Sequence, residues 1–293
     1  MKHLDGFAPL AAQYDGFVLD LWGVIHDGVR PYPGAPDCLR RLREAGKRVV
    51  LLSNAPRRAE PIRAQLRSMA IGDELYDGVM TSGEATYIML RDRPDPWWRS
   101  LGSRAFHLGP ARDRNVVTGL PIELVERPDD AGFLLNTGPD DESDPTDPTA
   151  FDPVLDACAA ARLPMICANP DLEVIRGGVR VVCAGTLALR YAARGGDVRS
   201  LGKPDPAIYG PVLDILATPR ARTLAVGDAL RTDIAGAQAA GIDSCWVLGG
   251  LHGEHLGEGA AQVETEAASA GLSPVAALQA FVWSTTQSHE LRR

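Results

Sequence analysis

The sequence predicts an α/β fold with a doubly wound, mostly parallel main sheet and a smaller α/β unit inserted into it. Three observations predict this. Short β-rich apolar runs alternate with helix-like segments through the first 90 residues. Prolines and an acidic stretch break that rhythm between residues 91 and 185. The rhythm returns after Lys203.

The elements follow in order. Residues 17–19 read as a strand that runs into Asp20, and residues 35–45 (APDCLRRLREA) read as a helix closed by Gly46. Residues 49–52 are the next strand and 56–69 the next helix; Val79 and Met80 lead through Thr81-Ser82-Gly83 into a helix ending at Leu90. In the middle, residues 91–98 are broken by prolines, and residues 136–149 (NTGPDDESDPTDPT) have the composition of a solvated loop. Residues 132–135, 165–168 and 179–183 are strand-like, and 150–162 helix-like. After Lys203 come a helix over 206–216, a strand over 223–226, a helix over 234–240, a strand over 245–248 and a last helix over 274–283. There is no internal repeat. The expected division is a core of residues 1–90 and 186–293 around an insert of residues 91–185, a size that suits a small domain.

Bulk properties narrow the function. A chain of 293 residues is long enough for two domains, and 45% hydrophobic with 23% charged residues is an ordinary globular balance. A net charge of −8 argues against nucleic acid or an anionic membrane as the main partner, while leaving small phosphorylated substrates open. No apolar run approaches the ~20 residues of a membrane span. The N-terminus carries Asp5 and no long apolar core, so it does not read as a signal peptide. Cys38, Cys158, Cys167, Cys183 and Cys245 are scattered and never CxxC, the usage of a reduced cytoplasmic protein without a disulfide frame or zinc site.

Four short pieces stand at the loop-like ends of the core strands: Asp20 in LDLWGV, Ser53-Asn54 in VLLSNAP, Lys203 in LGKPDP, and Asp228 with Asp233 in AVGDALRTD. Open parallel sheets bind ligands beyond the carboxyl ends of their strands, so one pocket can collect all four. A carboxylate can act as a nucleophile toward phosphorus. Several carboxylates suit Mg²⁺, a hard octahedral cation that bridges to phosphate oxygens. A lysine neutralises charge, and a serine hydroxyl holds an oxygen. Taken singly each piece has a plainer reading: a capping or arginine-paired Asp20, a turn at Ser53-Asn54, a helix start capped by Asp205, surface carboxylates at a helix N-terminus. Their shared position at strand ends is the argument for a site.

This order resembles the haloacid dehalogenase superfamily of aspartyl-phosphate hydrolases, motif by motif and over essentially the whole chain. The long insert, ANPD at residues 168–171, TSGEAT at 81–86 and Gly250-Leu251-His252 resemble its class IIA capped branch of nucleotide, p-nitrophenyl phosphate and pyridoxal phosphate phosphatases. The resemblance implies a Rossmann-like core with an α/β cap. It implies Asp20 as nucleophile and Mg²⁺ ligand, the Trp22 backbone carbonyl as a further ligand, and Ser53 on a phosphate oxygen. Lys203 would lie on the nucleophile and phosphoryl group, with Asp228 and Asp233 at the metal. Asn54 and, from the cap, Asp171 are the implied substrate contacts. Self-association through the cap is left open.

One position departs from the pattern. Phosphatases of this superfamily usually carry an acid/base Asp where this chain has Trp22. An aromatic there resembles the dehalogenases, yet GDALRTD keeps the acidic metal-binding pattern. The expected function is therefore Mg²⁺-dependent hydrolysis of small phosphorylated metabolites, slow for want of the acid/base. His26 and Asp27 are either substitutes for it or plain loop residues that cap the turn. The alternatives are a phosphometabolite-binding or regulatory protein with little turnover, and a dehalogenase-like hydrolase.

Overall fold

A computed structural model describes residues 1–176, 179–249 and 259–284. In chain order its strands are β1 (Lys2–Leu4), β2 (Gly16–Leu19), β3 (Arg48–Ser53), β4 (Gly78–Thr81), β5 (Arg104–Leu108), β6 (Glu123–Val125), β7 (Phe133–Asn136), β8 (Met165–Cys167), β9 (Glu173–Arg176), β10 (Val179–Val182), β11 (Val198–Ser200), β12 (Thr223–Gly227), β13 (Asp243–Val247) and β14 (Ala276–Leu278). The chain divides into two compact units. The first is Met1–Ser53, Ile62–Met80 and Lys203–Arg293; the second is Asn54–Pro61 and Thr81–Gly202.

The main sheet has the order β1-β14-β13-β12-β2-β3-β4. From β1 through β3 every pairing is parallel. Central strands of a parallel sheet are covered on both faces and so read as unbroken apolar runs; Phe17-Val18-Leu19 and Val49-Val50-Leu51-Leu52 are such runs, all buried. Helix Ala35–Glu44 lays Cys38, Leu39 and Leu42 into this core, and Ala59–Ser68 adds Ile62 and Leu66 one turn apart.

The second unit holds a sheet of order β11-β8-β7-β5-β6, parallel throughout, and a separate antiparallel hairpin of β9 and β10. Its side chains alternate between two layers as strand geometry requires. Leu134, Met165 and Cys167 face Phe151, Leu155 and Tyr191, while Phe133, Leu135 and Ile166 face Trp98, Leu101 and Val116. The fold is thus α/β with two parallel sheets, as expected.

Two expectations change. Residues 274–283 do not form a helix: Ala276–Leu278 is a fully buried strand between β13 and β1. A short apolar run carries no period that separates strand from helix, and here pairing on both edges decides. The strand expected near residues 179–183 forms as Val179–Val182, in the antiparallel hairpin and with Val179 half exposed. Residues 198–200 pair with β8, and the second unit comprises Asn54–Pro61 and Thr81–Gly202, a division different from the expected insert of residues 91–185. The link is helix Ala184–Ala192, whose Leu187, Ala188 and Tyr191 belong to the insert's own core. Gly250-Leu251-His252 lies outside the described residues.

Candidate active site

Strand β2 sits between β12 and β3. Leu19 is in register with Val226 on one side and Leu51 on the other. The next residue, Asp20, is therefore level with Gly227 and Leu52, and Asp228 and Ser53 follow one step on. The Asp20 N–H still donates to Val226 O at 2.9 Å, so the strand holds its backbone up to the carboxylate. Asp233 comes from a π-helical turn, Leu230–Ile234, that follows β12.

These elements converge. Carboxylate oxygens of Asp20, Asp228 and Asp233 lie within 4.8 Å of one another, and all three residues are buried. Lys203 is 3% exposed and donates to Asp20 Oδ1 at 2.6 Å, to Asp233 Oδ1 at 2.6 Å and to the Leu52 carbonyl at 3.2 Å. Its ammonium has three protons, and these three acceptors match them. The second oxygen of Asp233 accepts from Ala229 N at 3.1 Å, and the buried Trp246 indole donates to the Asp228 carbonyl at 2.8 Å. Gly23 has φ +77°, and a Cβ there would stand 2.0 Å from Asp228 Oδ2. Only glycine combines that backbone with that approach.

Burial pushes the Asp20 carboxyl well above its ordinary range; the charges of Asp233 and Asp228 push the same way, against Lys203. Three buried carboxylates converge here around one lysine. A divalent cation is the natural complement, and an all-oxygen donor set suits a hard one such as Mg²⁺ or Ca²⁺. Ser53 ends β3 beside this cluster in register and is 2% exposed.

The segment after Asp20 closes on itself. The Trp22 ring packs edge-on to His26, and a Cβ on Gly28 would lie 2.2 Å from the indole. Gly28 N donates to His26 Nδ1 at 2.9 Å, which puts the imidazole proton on Nε2. Asp27 Oδ1 accepts from Val29 N at 2.8 Å and Arg30 N at 2.7 Å, and those N–H groups hold the carboxyl below its usual range. Both residues cap the turn.

Asn54 and Asp171, expected at the substrate, bond to each other in the second unit. Asn54 Nδ2 donates to Asp171 Oδ1 at 2.8 Å, and Ser82 Oγ donates to Asn54 Oδ1 at 3.3 Å. Sequence reasoning missed Ser82 and the grip of Trp246 on Asp228. Ser82 stands in TSGEAT without a role read for it, and both contacts are long-range.

The comparisons place this arrangement among known proteins. A family model described as haloacid dehalogenase-like hydrolase matches residues 17–123, and one described as HAD-hydrolase-like matches residues 200–270. The crystal structure of a hydrolase of the haloacid dehalogenase-like family from Brucella suis 1330 is 31% identical, with a TM-score of 0.81 over 96% of this chain and 100% of that one. Chronophin from Mus musculus is 29% identical over 252 residues, 82% of each chain. Glycerol phosphate phosphatase from Mycobacterium tuberculosis, solved in complex with calcium, is 27% identical, with a TM-score of 0.62 over 83% of this chain and 68% of that one.

Fold and relatives together define a hydrolase. The chain belongs to the haloacid dehalogenase-like family, in its class IIA branch, and is an enzyme of the phosphatase kind. No helix among the described residues is long and apolar enough to cross a membrane.

Proposed function

We propose that the chain is a Mg²⁺-dependent phosphatase of small phosphorylated metabolites, nucleotide or sugar phosphates, acting through an aspartyl phosphate on Asp20. The observation that carries this reading is the meeting of Asp20, Asp228 and Asp233 around the Lys203 ammonium. Binding alone needs no nucleophile at the end of the central strand.

In this reading an Asp20 oxygen forms a bond to phosphorus while the bond to the leaving oxygen breaks, and that oxygen departs with the electron pair. Lys203 holds Asp20 by a charge-assisted hydrogen bond and offsets the phosphoryl charge. The Ser53 hydroxyl donates to a phosphoryl oxygen. Asp20, Asp228, Asp233 and the Trp22 carbonyl would hold Mg²⁺, which when bound neutralises charge on the transferring group. Water then attacks the phosphorus of the aspartyl phosphate, releasing inorganic phosphate and restoring Asp20.

Proton transfer is the weak point. Trp22 has no titratable group, His26 Nδ1 is taken by Gly28 N, and Asp27 is taken by its own turn. A phenolate or phosphate leaving group departs without a proton; an alkoxide does not. General acid–base help is typically worth about 10²–10⁴-fold, so alkyl esters should suffer most. The same observation favours the second reading, a phosphometabolite-binding protein with little turnover. The acidic cluster disfavours a dehalogenase. Five buried free thiols support a reducing, cytoplasmic setting for the proposed enzyme.

Phosphate release from p-nitrophenyl phosphate, a nucleotide and glycerol 3-phosphate, with and without Mg²⁺ and beside a 2-haloacid, tests all three readings. Mg²⁺-dependent release led by the aryl ester is expected. Tight phosphate-ester binding without release would favour the binding protein.

A further inference from the structure

The chain leaves the first unit after Ser53, returns at Ile62, leaves again after Met80 and returns at Lys203, so Asn54 and Gly202, the second-unit neighbours of Ser53 and Lys203, come from two separate segments. Those neighbours are packed together. A Cβ on Gly202 would lie 2.2 Å from Ser82 Oγ, 2.5 Å from Asn54 Oδ1 and 2.8 Å from Pro170 Cδ. Asn54 is clasped from both ends of its amide, by Asp171 Oδ1 at 2.8 Å and Ser82 Oγ at 3.3 Å. Asp171 is itself fixed, its N–H donating to Asn169 Oδ1 at 3.0 Å and its carbonyl accepting from Gly185 N at 3.1 Å. Asn54 is 3% exposed and Ser82 fully buried.

We propose that Asn54 and Asp171 are positioning residues. Their side-chain bond, with Ser82 and Gly202, ties the residues that adjoin Ser53 and Lys203 along the chain into one knot, and that knot sets where Ser53 and Lys203 stand. The inference rests on the phosphatase reading above but assigns Asn54 and Asp171 no contact with substrate. A misplacement of about 1 Å in a reacting constellation can cost about 10²-fold in rate, which is the leverage such a knot has on catalysis.

The two roles separate by swapping the partners. Asp171→Asn keeps an acceptor for Asn54 and removes only charge. Asn54→Asp sets two carboxylates against each other. The double variant N54D/D171N rebuilds the bond with donor and acceptor exchanged, and Asp171→Ala is a milder break should Asn54→Asp fold poorly. Turnover of p-nitrophenyl phosphate and glycerol 3-phosphate is measured for each, with melting temperature and amide hydrogen exchange over residues 52–56 and 201–204.

Asn54→Asp and Asp171→Ala should lower kcat on both esters by a common factor of about 10–100 with little change in KM. Exchange in the two segments should rise about tenfold. Asp171→Asn should stay within a few-fold of the wild type, and the double variant should recover rate and protection. The proposal is overturned if Asp171→Asn alone changes the ranking of the two esters, if the double variant is no better than Asn54→Asp, or if exchange is unchanged in the broken variants. Should the wild type hydrolyse neither ester, the phosphatase reading falls, while the exchange data still decide whether the knot positions Ser53 and Lys203.

Discussion

Lys203→Met removes the cation that joins Asp20 and Asp233 while keeping a side chain of similar length. The three residues are 3%, 8% and 4% exposed, so water does little to screen what remains. Two carboxylate oxygens no more than 4.8 Å apart repel by at least about 3.5 kcal/mol at an effective dielectric of about 20. Breaking a buried pair by deleting one partner costs about 3–5 kcal/mol by experience with other proteins, so the two figures agree. At roughly 2–4 °C per kcal/mol for a unit of this size, the melting temperature should fall by about 6–20 °C.

The pH dependence has a definite sign. The Asp20 carboxyl already stands above its ordinary value in the fold, chiefly by burial, and loss of Lys203 raises it further. A carboxyl raised in the native state favours folding most at low pH, and that contribution is lost as pH rises through the raised value. The deficit of the variant should therefore be smallest at the acid end and grow as pH rises through the raised value. Calorimetric melts of wild type and variant across that rise in pH, with and without saturating MgCl₂, read all of this. Mg²⁺ should raise the variant's melting temperature more than the wild type's. An unchanged melting temperature at neutral pH, or a deficit that grows on acidification, would refute the electrostatic account of the cluster.

Asp228→Asn should weaken Mg²⁺ activation and lower kcat together; kinetics indistinguishable from wild type would remove Asp228 from the metal. Burial, with a smaller push from Arg114, brings the His107 imidazole from 6.5 down to about 4. His107 is thus native when neutral, and the fold should lose up to about 3 kcal/mol as pH falls from 6.5 toward 4, at ~1.36 kcal/mol per pH unit. His107→Gln, which can still reach Thr137, should flatten that acid limb in urea titrations; equal slopes would show that other groups drive it. In rapid mixing with an aryl phosphate, the wild type should release a burst of phenolate equal to its enzyme concentration, because water attack lacks a base. Trp22→Asp should abolish the burst and speed alkyl esters, provided its melt shows that the fold survives a loss of up to about 3–5 kcal/mol.

The strand ends were legible because charge at the end of a buried run is costly unless it is used. That logic found Asp20, Asp228 and Lys203 as a set, and register then brought them together. It found Ser53 by position only. Sequence reasoning picked out Asn54 and Asp171 but not the bond between them, which spans 117 residues and leaves no local trace. Ala276–Leu278 was misread for a related reason: three small apolar residues become a strand only because β13 and β1 flank them. RAFHL, residues 104–108, was not read as a strand at all; its fit between β6 and β7 depends on partners, and Arg104 and His107 blur its pattern. Trp22 was legible as a departure, while the engagement of His26 and Asp27 with their own turn needed coordinates.

The place of β2 in the main sheet has a consequence for synthesis on the ribosome. Its β3 edge can pair soon after it emerges, but its other partner, β12, lies about 200 residues further along. At roughly 5–20 residues per second the nascent chain carries that open edge for about 10–40 s, during which the entire second unit is made and can fold first. An apolar edge of Phe17, Val18 and Leu19 waiting that long is a template for pairing with a neighbouring chain on the same polysome. Half-finished chains of this protein should therefore engage a holding chaperone until residues past 227 clear the exit tunnel, when Asp228 and Asp233 arrive and the cluster closes for the first time.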